Sequence, residues 1–145
     1  QHHIGIDFDG ILCEDCPRES DDDGPRYQEF LRSVRAIRHA WPHGPAVVIT
    51  GRLEKYREAT AKWMAENRQS PAVVAHAPWE TAAQRARHSV ADWKADMCQR
   101  FELRYFVESD PRQAWRIADV TGIPVLCPPA GVVLRKGSKF EPENL

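Results

Sequence analysis

Asp7 and Asp9 stand two residues apart at the end of a short apolar run, Ile4-Gly5-Ile6-Asp7-Phe8-Asp9-Gly10. Along an extended strand that spacing puts both carboxylates on one side, and Gly10 lets the chain turn sharply beside them. Like charges held that close are costly unless a cation sits between them or one of them takes a proton. Either arrangement suits chemistry on a phosphate. A divalent ion such as Mg²⁺ finds hard oxygen ligands, one carboxylate can attack phosphorus, and its neighbour can shuttle a proton. The same residues also fit a plain strand followed by an Asp-Gly turn, so the remainder of the chain must decide.

Three further signals fall at the ends of expected strands or in the helices between them, where open parallel sheets bind ligands. Val47-Val48-Ile49-Thr50-Gly51-Arg52 ends an apolar run with a hydroxyl and a glycine before a helix begins, a combination that can hold a phosphate oxygen. Lys94 lies near the middle of a helical stretch, where a lysine taken alone reads as a solvated surface charge. Tyr105-Phe106-Val107-Glu108-Ser109-Asp110-Pro111 sends acids off a strand end just as the first run does, and two such acid groups on one sheet suggest a cation between them. Cys13-Glu14-Asp15-Cys16 forms a C-x-x-C, but no second pair follows to complete a zinc site; the expectation is free loop thiols, with structural zinc or a redox pair as alternatives.

These residues need a scaffold, and the chain alternates strand and helix throughout, the pattern of an α/β protein with a parallel sheet. Strands are expected at Ile4 to Phe8, Ala46 to Thr50, Ala72 to His76, Tyr105 to Glu108 and Pro124 to Cys127. Tyr27, Phe30, Leu31, Val34, Ile37 and Trp41 recur at helical spacing after Asp21-Asp22-Asp23-Gly24-Pro25, predicting one helix up to Pro42. A second helix is expected directly after Thr50-Gly51, with Leu53, Tyr56, Ala59, Trp63 and Met64 repeating the pattern; a third covers Thr81 to about Arg100, in one piece or two, and a fourth runs from Pro111 to about Thr121. Residues 12–24, acidic and interrupted by Pro17, leave the first strand over the Asp7/Asp9 pair and read as a flap. Residues 128–145 read as a tail or linker, with Val132-Val133-Leu134 as one further candidate edge strand.

At 145 residues the chain fits one domain, with a core over residues 4–127. Its 20 basic and 21 acidic residues, net charge −1, carry no electrostatic footprint for nucleic acid. No apolar run approaches the ~20 residues of a membrane span, and the expectation is a cytoplasmic protein with no membrane partner. A chain that enters a strand within about four residues and ends in a charged segment reads as an excised domain, part of a larger multidomain chain or complex.

Taken in order, Asp7-Phe8-Asp9-Gly10, Thr50, Lys94 and Glu108-Ser109-Asp110 resemble the four motifs of the haloacid dehalogenase superfamily of phosphotransferases. The resemblance covers residues 4 to about 127. It implies a three-layer α/β/α Rossmann-like fold with a central parallel sheet of about five strands and no cap domain. It also implies Asp7 as nucleophile, Asp9 as general acid and base, and Thr50, Gly51 and Lys94 as binders of the transferring phosphoryl group. Asp7, Asp110 and the Asp9 backbone carbonyl would surround Mg²⁺, with Glu108 and Arg52 in supporting positions. Ile11 stands where Thr or Val is usual, Ser109 interrupts the acidic fourth motif, and Arg87 and Lys55 are possible substitutes for Lys94. An open, capless site in this family implies a large substrate or a partner that closes it. Thr50-Gly51-Arg52 with Lys62-Trp63-Met64, and Asp110-Pro111-Arg112-Gln113-Ala114-Trp115, are similar to the 3′-phosphatase domain of polynucleotide kinase-phosphatases. Phe106-Val107-Glu108-Ser109-Asp110 with Gln113-Ala114 also resembles haloacid-dehalogenase-like domains that accompany phosphoribosyltransferase-like domains. The activity implied is Mg²⁺-dependent hydrolysis of a phosphomonoester, on a small molecule or a nucleic-acid 3′ end; the alternative is an idle or regulatory domain that only binds phosphate.

Overall fold

The computed structural model describes residues 3–37 and 46–139. Six strands form one sheet in the order β3-β2-β1-β4-β5-β6. They are β1 (Ile4–Ile6), β2 (Val47–Leu53), β3 (Val73–Ala77), β4 (Tyr105–Val107), β5 (Val125–Cys127) and β6 (Val132–Leu134). Every pairing is parallel except β5 with β6. The expected five-strand sheet is thus extended by an antiparallel edge. Pro128–Ala130 makes a single tight helical turn, and Gly131, at φ +67°, reverses the chain onto β5. Residues 132–134 of the expected tail are therefore sheet; residues 140–145 lie outside the described residues, as do Gln1 and His2.

Side chains alternate across the sheet, and this sorts the core into two faces. Val47 and Ile49 of β2 join Phe106, Ala95, Ile117 and Val125 in one buried cluster. Val48 joins Ile6, Phe8, Val107, Trp63 and Met64 in another. Helices α4 (Val90–Arg100) and α5 (Pro111–Thr121) thus cover one face, and α2 (Arg57–Glu66) the other. Strands buried on both sides read as continuous apolar runs, which is why they stand out in the sequence.

Helix α1 (Pro25–Ser33) stops eight residues short of its expected end. Val34 turns extended, and its carbonyl accepts the indole N–H of Trp63 at 2.8 Å, which fixes the chain against α2 instead of letting it continue helical. Trp41 and the expected stop at Pro42 to Pro45 lie outside the described residues. The third expected helix is two, α3 (Ala82–Arg85) and α4, each opened by its own cap: Thr81 accepts the Gln84 N–H and Ser89 accepts the Asp92 N–H, both at 3.1 Å. Strand β2 does not stop at Thr50 as expected but runs on to Leu53, its pairing to β3 shifted between those two residues, so Leu53 is strand and α2 begins only at Arg57. Among the described residues, no helix is long and apolar enough to cross a membrane.

The chain leaves β1 for β2 on one side and places β4 on the other, so strand order reverses at β1. Such a switch opens a crevice beyond the carboxyl ends of the strands. Close packing beneath it leaves no room at Gly5, where a Cβ would lie 2.3 Å from Leu103 Cδ1 and 2.7 Å from Phe106 Cδ1. Gly5→Ala is expected to cost about 1–3 kcal/mol through overpacking. Urea unfolding checks this: a midpoint equal to that of the parent would show that Leu103 and Phe106 yield freely.

Candidate functional site

Lys94 is 3% exposed and sits between two buried acids. Its Nζ donates to Asp7 Oδ1 at 3.2 Å and to Glu108 Oε1 at 2.7 Å. The surface-charge reading of this lysine is therefore overturned: α4 presents it inward, one residue before the core alanine Ala95. Burial alone would lower its pKa, but the charges of Asp7 and Glu108 outweigh burial and raise it. Burial likewise opposes ionisation of Asp7, yet Lys94, together with hydrogen bonds that include the Phe8 N–H and the Ser109 hydroxyl, holds its carboxyl below the ordinary range. Glu108 moves the other way, pushed up by burial and then by Asp7. Its second oxygen accepts the Asp110 N–H at 3.0 Å, so β4 and the start of α5 are tied to the lysine through one carboxylate.

Gly10 turns the chain immediately after β1 with φ +83°, and a Cβ there would meet Ser109 Cβ at 2.6 Å. Its absence lets Ser109 approach, and the Ser109 hydroxyl reaches both Asp7 Oδ2 at 3.0 Å and the Asp9 carbonyl oxygen at 2.8 Å. One hydroxyl proton is shared between these two acceptors or fully satisfies only one of them. The serine that interrupts the fourth motif thus bridges the two oxygens that the resemblance assigns to a metal ion.

Asp9 is held separately. Arg52 Nε and Nη2 donate to its two carboxylate oxygens at 3.0 and 2.7 Å, a fork-on-carboxylate pair. Arg52 is 1% exposed; its guanidinium lies 3.9 Å over the Phe8 ring and its Nη1 donates to Thr60 Oγ1 at 3.1 Å. Cys13 Sγ completes the surroundings, 3.4 Å from Asp9 Oδ1. Burial, then Asp9, drives the Cys13 thiol far above its ordinary value. Both cysteines of the C-x-x-C are free, but Cys13 is core rather than loop surface.

These groups surround a cavity of about 340 Å³ that also receives Asp15 and Asp21 from the flap, and Arg85, Asp110 and Gln113. Gly51 lines it, whereas Thr50 is fully buried and its hydroxyl accepts the Arg52 N–H at 3.0 Å. Asp110 caps α5, accepting the Arg112 N–H at 2.9 Å and the Gln113 N–H at 3.3 Å, with its carboxylate at the cavity wall. The carboxyl of Asp15 is raised first by burial and then by Asp9, Asp7 and Asp110, so four acids face a common space. Among the described residues no three His, Cys, Asp or Glu side chains close on one point to hold a metal. The suggested substitutes for Lys94 stand elsewhere: Arg87 is exposed, and Lys55 pairs with Asp23 at 3.1 Å.

The residues missed from sequence are Asp15, Asp21, Arg85 and the central placing of Arg52. The acidic flap signalled the first two only as a charged segment, and nothing in Arg85-Ala86-Arg87-His88 separates an inward arginine from an outward one. No protein family, curated protein or solved structure matches this chain.

Breaking the Arg52–Asp9 pair from the arginine side is expected to destabilise the domain, by less than the ~3–5 kcal/mol of a fully buried pair because Asp9 keeps 27% side-chain exposure. Arg52→Met with Asp9→Asn should recover part of that loss. Additive losses in the double variant, measured by urea unfolding, would deny the coupling.

Proposed function

We propose that this protein is a phosphomonoester hydrolase of the capless haloacid dehalogenase type, with a Rossmann-like α/β/α core and an aspartyl-phosphate formed on Asp7. The observation that carries this reading is the buried Asp7–Lys94–Glu108 array at a cavity floor. A carboxylate kept ionised, oriented on both oxygens and faced by a cation is what nucleophilic attack on phosphorus needs. The strand order, with the first and fourth motifs just beyond β1 and β4, Thr50 within β2 and Lys94 reaching in from α4, supports the fold half of the proposal.

The donor set fits Mg²⁺. Asp7 Oδ2 and the Asp9 carbonyl compete for one Ser109 proton, and the cavity holds more carboxylates than cations. Asp7, the Asp9 carbonyl and Asp110, joined by the Ser109 hydroxyl, would hold the ion, which supplies charge neutralisation to the phosphoryl oxygens. In the first step an Asp7 oxygen bonds to phosphorus and the ester P–O bond breaks, its oxygen taking a proton from Asp9. In the second step Asp9 removes a proton from water, the water oxygen bonds to phosphorus, and Asp7 departs as carboxylate. Arg52 positions Asp9, and its fork must give up one Asp9 oxygen when that carboxyl carries the proton it donates. Asp15 and Asp21 at the cavity wall disfavour a polyanionic leaving group, which favours a small phosphomonoester over a nucleic-acid end.

Hydrolysis of an aryl phosphate that EDTA abolishes is the expected result, and a metal-independent rate would sink the proposal. Asp7→Asn should abolish both turnover and the phosphoenzyme. Asp9→Asn should spare the first step on an aryl phosphate, with aspartyl-phosphate accumulating, while an alkyl phosphate loses ~10²–10⁴-fold. Rapid quench with intact-mass detection reads both; equal losses without a trapped intermediate would refute the role of Asp9. Phosphate binding without any turnover would favour the regulatory alternative.

A further inference from the structure

The cations of this cavity are not equally available. Lys94 spends its ammonium on Asp7 and Glu108. Arg52 spends its fork on Asp9 and Thr60. Arg85 lines the same cavity, and among the described residues its guanidinium makes a single hydrogen bond, from Nη1 to the Gly51 carbonyl at 2.8 Å, and has no acidic partner. Of the five N–H donors of a guanidinium, the rest stay unspent.

Its position is fixed by more than that bond. Arg85 belongs to the four-residue helix α3, whose Ala82 N–H donates to Asp23 Oδ2 at 3.1 Å. The same carboxylate accepts from Tyr56 Oη and from Lys55 Nζ, so α3 is tied to the flap base and to the turn after β2. The Gly51 bond then aims the guanidinium along the end of β2, beside the residue that lines the cavity floor. An arginine anchored by one nitrogen with the remaining fork free is suited to the paired oxygens of a phosphoryl group.

Resting on the phosphatase reading, we propose that Arg85 is a substrate-binding residue that receives the phosphoryl oxygens in the cavity it shares with Lys94. A phosphoryl dianion entering this cavity meets six acidic side chains, Asp7, Asp9, Asp15, Asp21, Glu108 and Asp110, and Arg85 supplies the local positive charge that the other two bases have already committed. The contact is made to substrate and product alike, so its loss raises KM more than it lowers kcat.

The test is calorimetric titration of the full chain with inorganic phosphate in Mg²⁺, comparing the parent with Arg85→Ala, Arg85→Lys and the exposed neighbour Arg87→Ala. Thermal unfolding of each variant establishes that it is folded. Arg85→Ala is expected to weaken phosphate binding by ~10- to 100-fold, the range for hydrogen bonds to a charged group. Arg85→Lys should recover part of it, because charge survives and the fork does not, and Arg87→Ala should bind as the parent does. On an aryl phosphate the Arg85→Ala defect should appear in KM. Parent-like phosphate binding and KM in Arg85→Ala would overturn the assignment, as would an equal loss in Arg87→Ala, which would mark a general charge effect. A parent chain that binds no phosphate would overturn it too. Arg85-dependent phosphate binding with no hydrolysis would sustain this assignment while removing the phosphatase reading.

Discussion

Three ionisable groups buried together constrain most of this molecule. Lys94 cannot be inside without acids to meet it, and Asp7 and Glu108 face one another with the lysine between them and with Glu108 pushed toward its neutral form. Each comes from a different element: Asp7 from just beyond β1, Glu108 from just beyond β4, and Lys94 from α4. Neutralising the array therefore fixes the register of β1 against β4 and the rotation of α4 about its own axis. Apolar packing around Ala95, Phe106 and Ile117 supplies the cohesion, but it would tolerate small rotations that the two Lys94 contacts would not.

Arg52 repeats this logic one strand away. It joins the end of β2 to Asp9 after β1 and to Thr60 on α2, with the Phe8 ring beneath its plane. The two acids of the opening motif are consequently held by different cations on different elements. A pair of carboxylates two residues apart would otherwise repel; divided between Lys94 and Arg52, each has its own counter-charge, and they can take different chemical duties.

The alternation of apolar runs made the strands and most helices legible from sequence, because strands buried on both faces leave an unmistakable pattern. Helix ends were harder. The termination of α1 at Ser33 depends on a Trp63 contact from a distant segment, and the division of α3 from α4 depends on two capping hydroxyls in a stretch that still reads as helical. The motif residues were found by order along the chain, and Asp7, Lys94 and Glu108 meet. What the order did not convey was direction. Thr50 turns into the core, Asp110 turns to cap its own helix, and Ser109 takes the space between Asp7 and the Asp9 carbonyl, because side-chain orientation follows from partners that linear spacing does not contain.

Asp23 holds a positive φ of 50° and gathers Tyr56, Lys55 and the Ala82 amide onto one carboxylate. The flap is thereby stitched to α3 at its base, and a swing that lifts one must release the Ala82 proton to solvent. Isotope exchange at that single amide would report separation of the flap base from α3, readable without any ligand. Flap base and Arg85 share that one tether, so the acids and the arginine that line the cavity are placed by the same carboxylate.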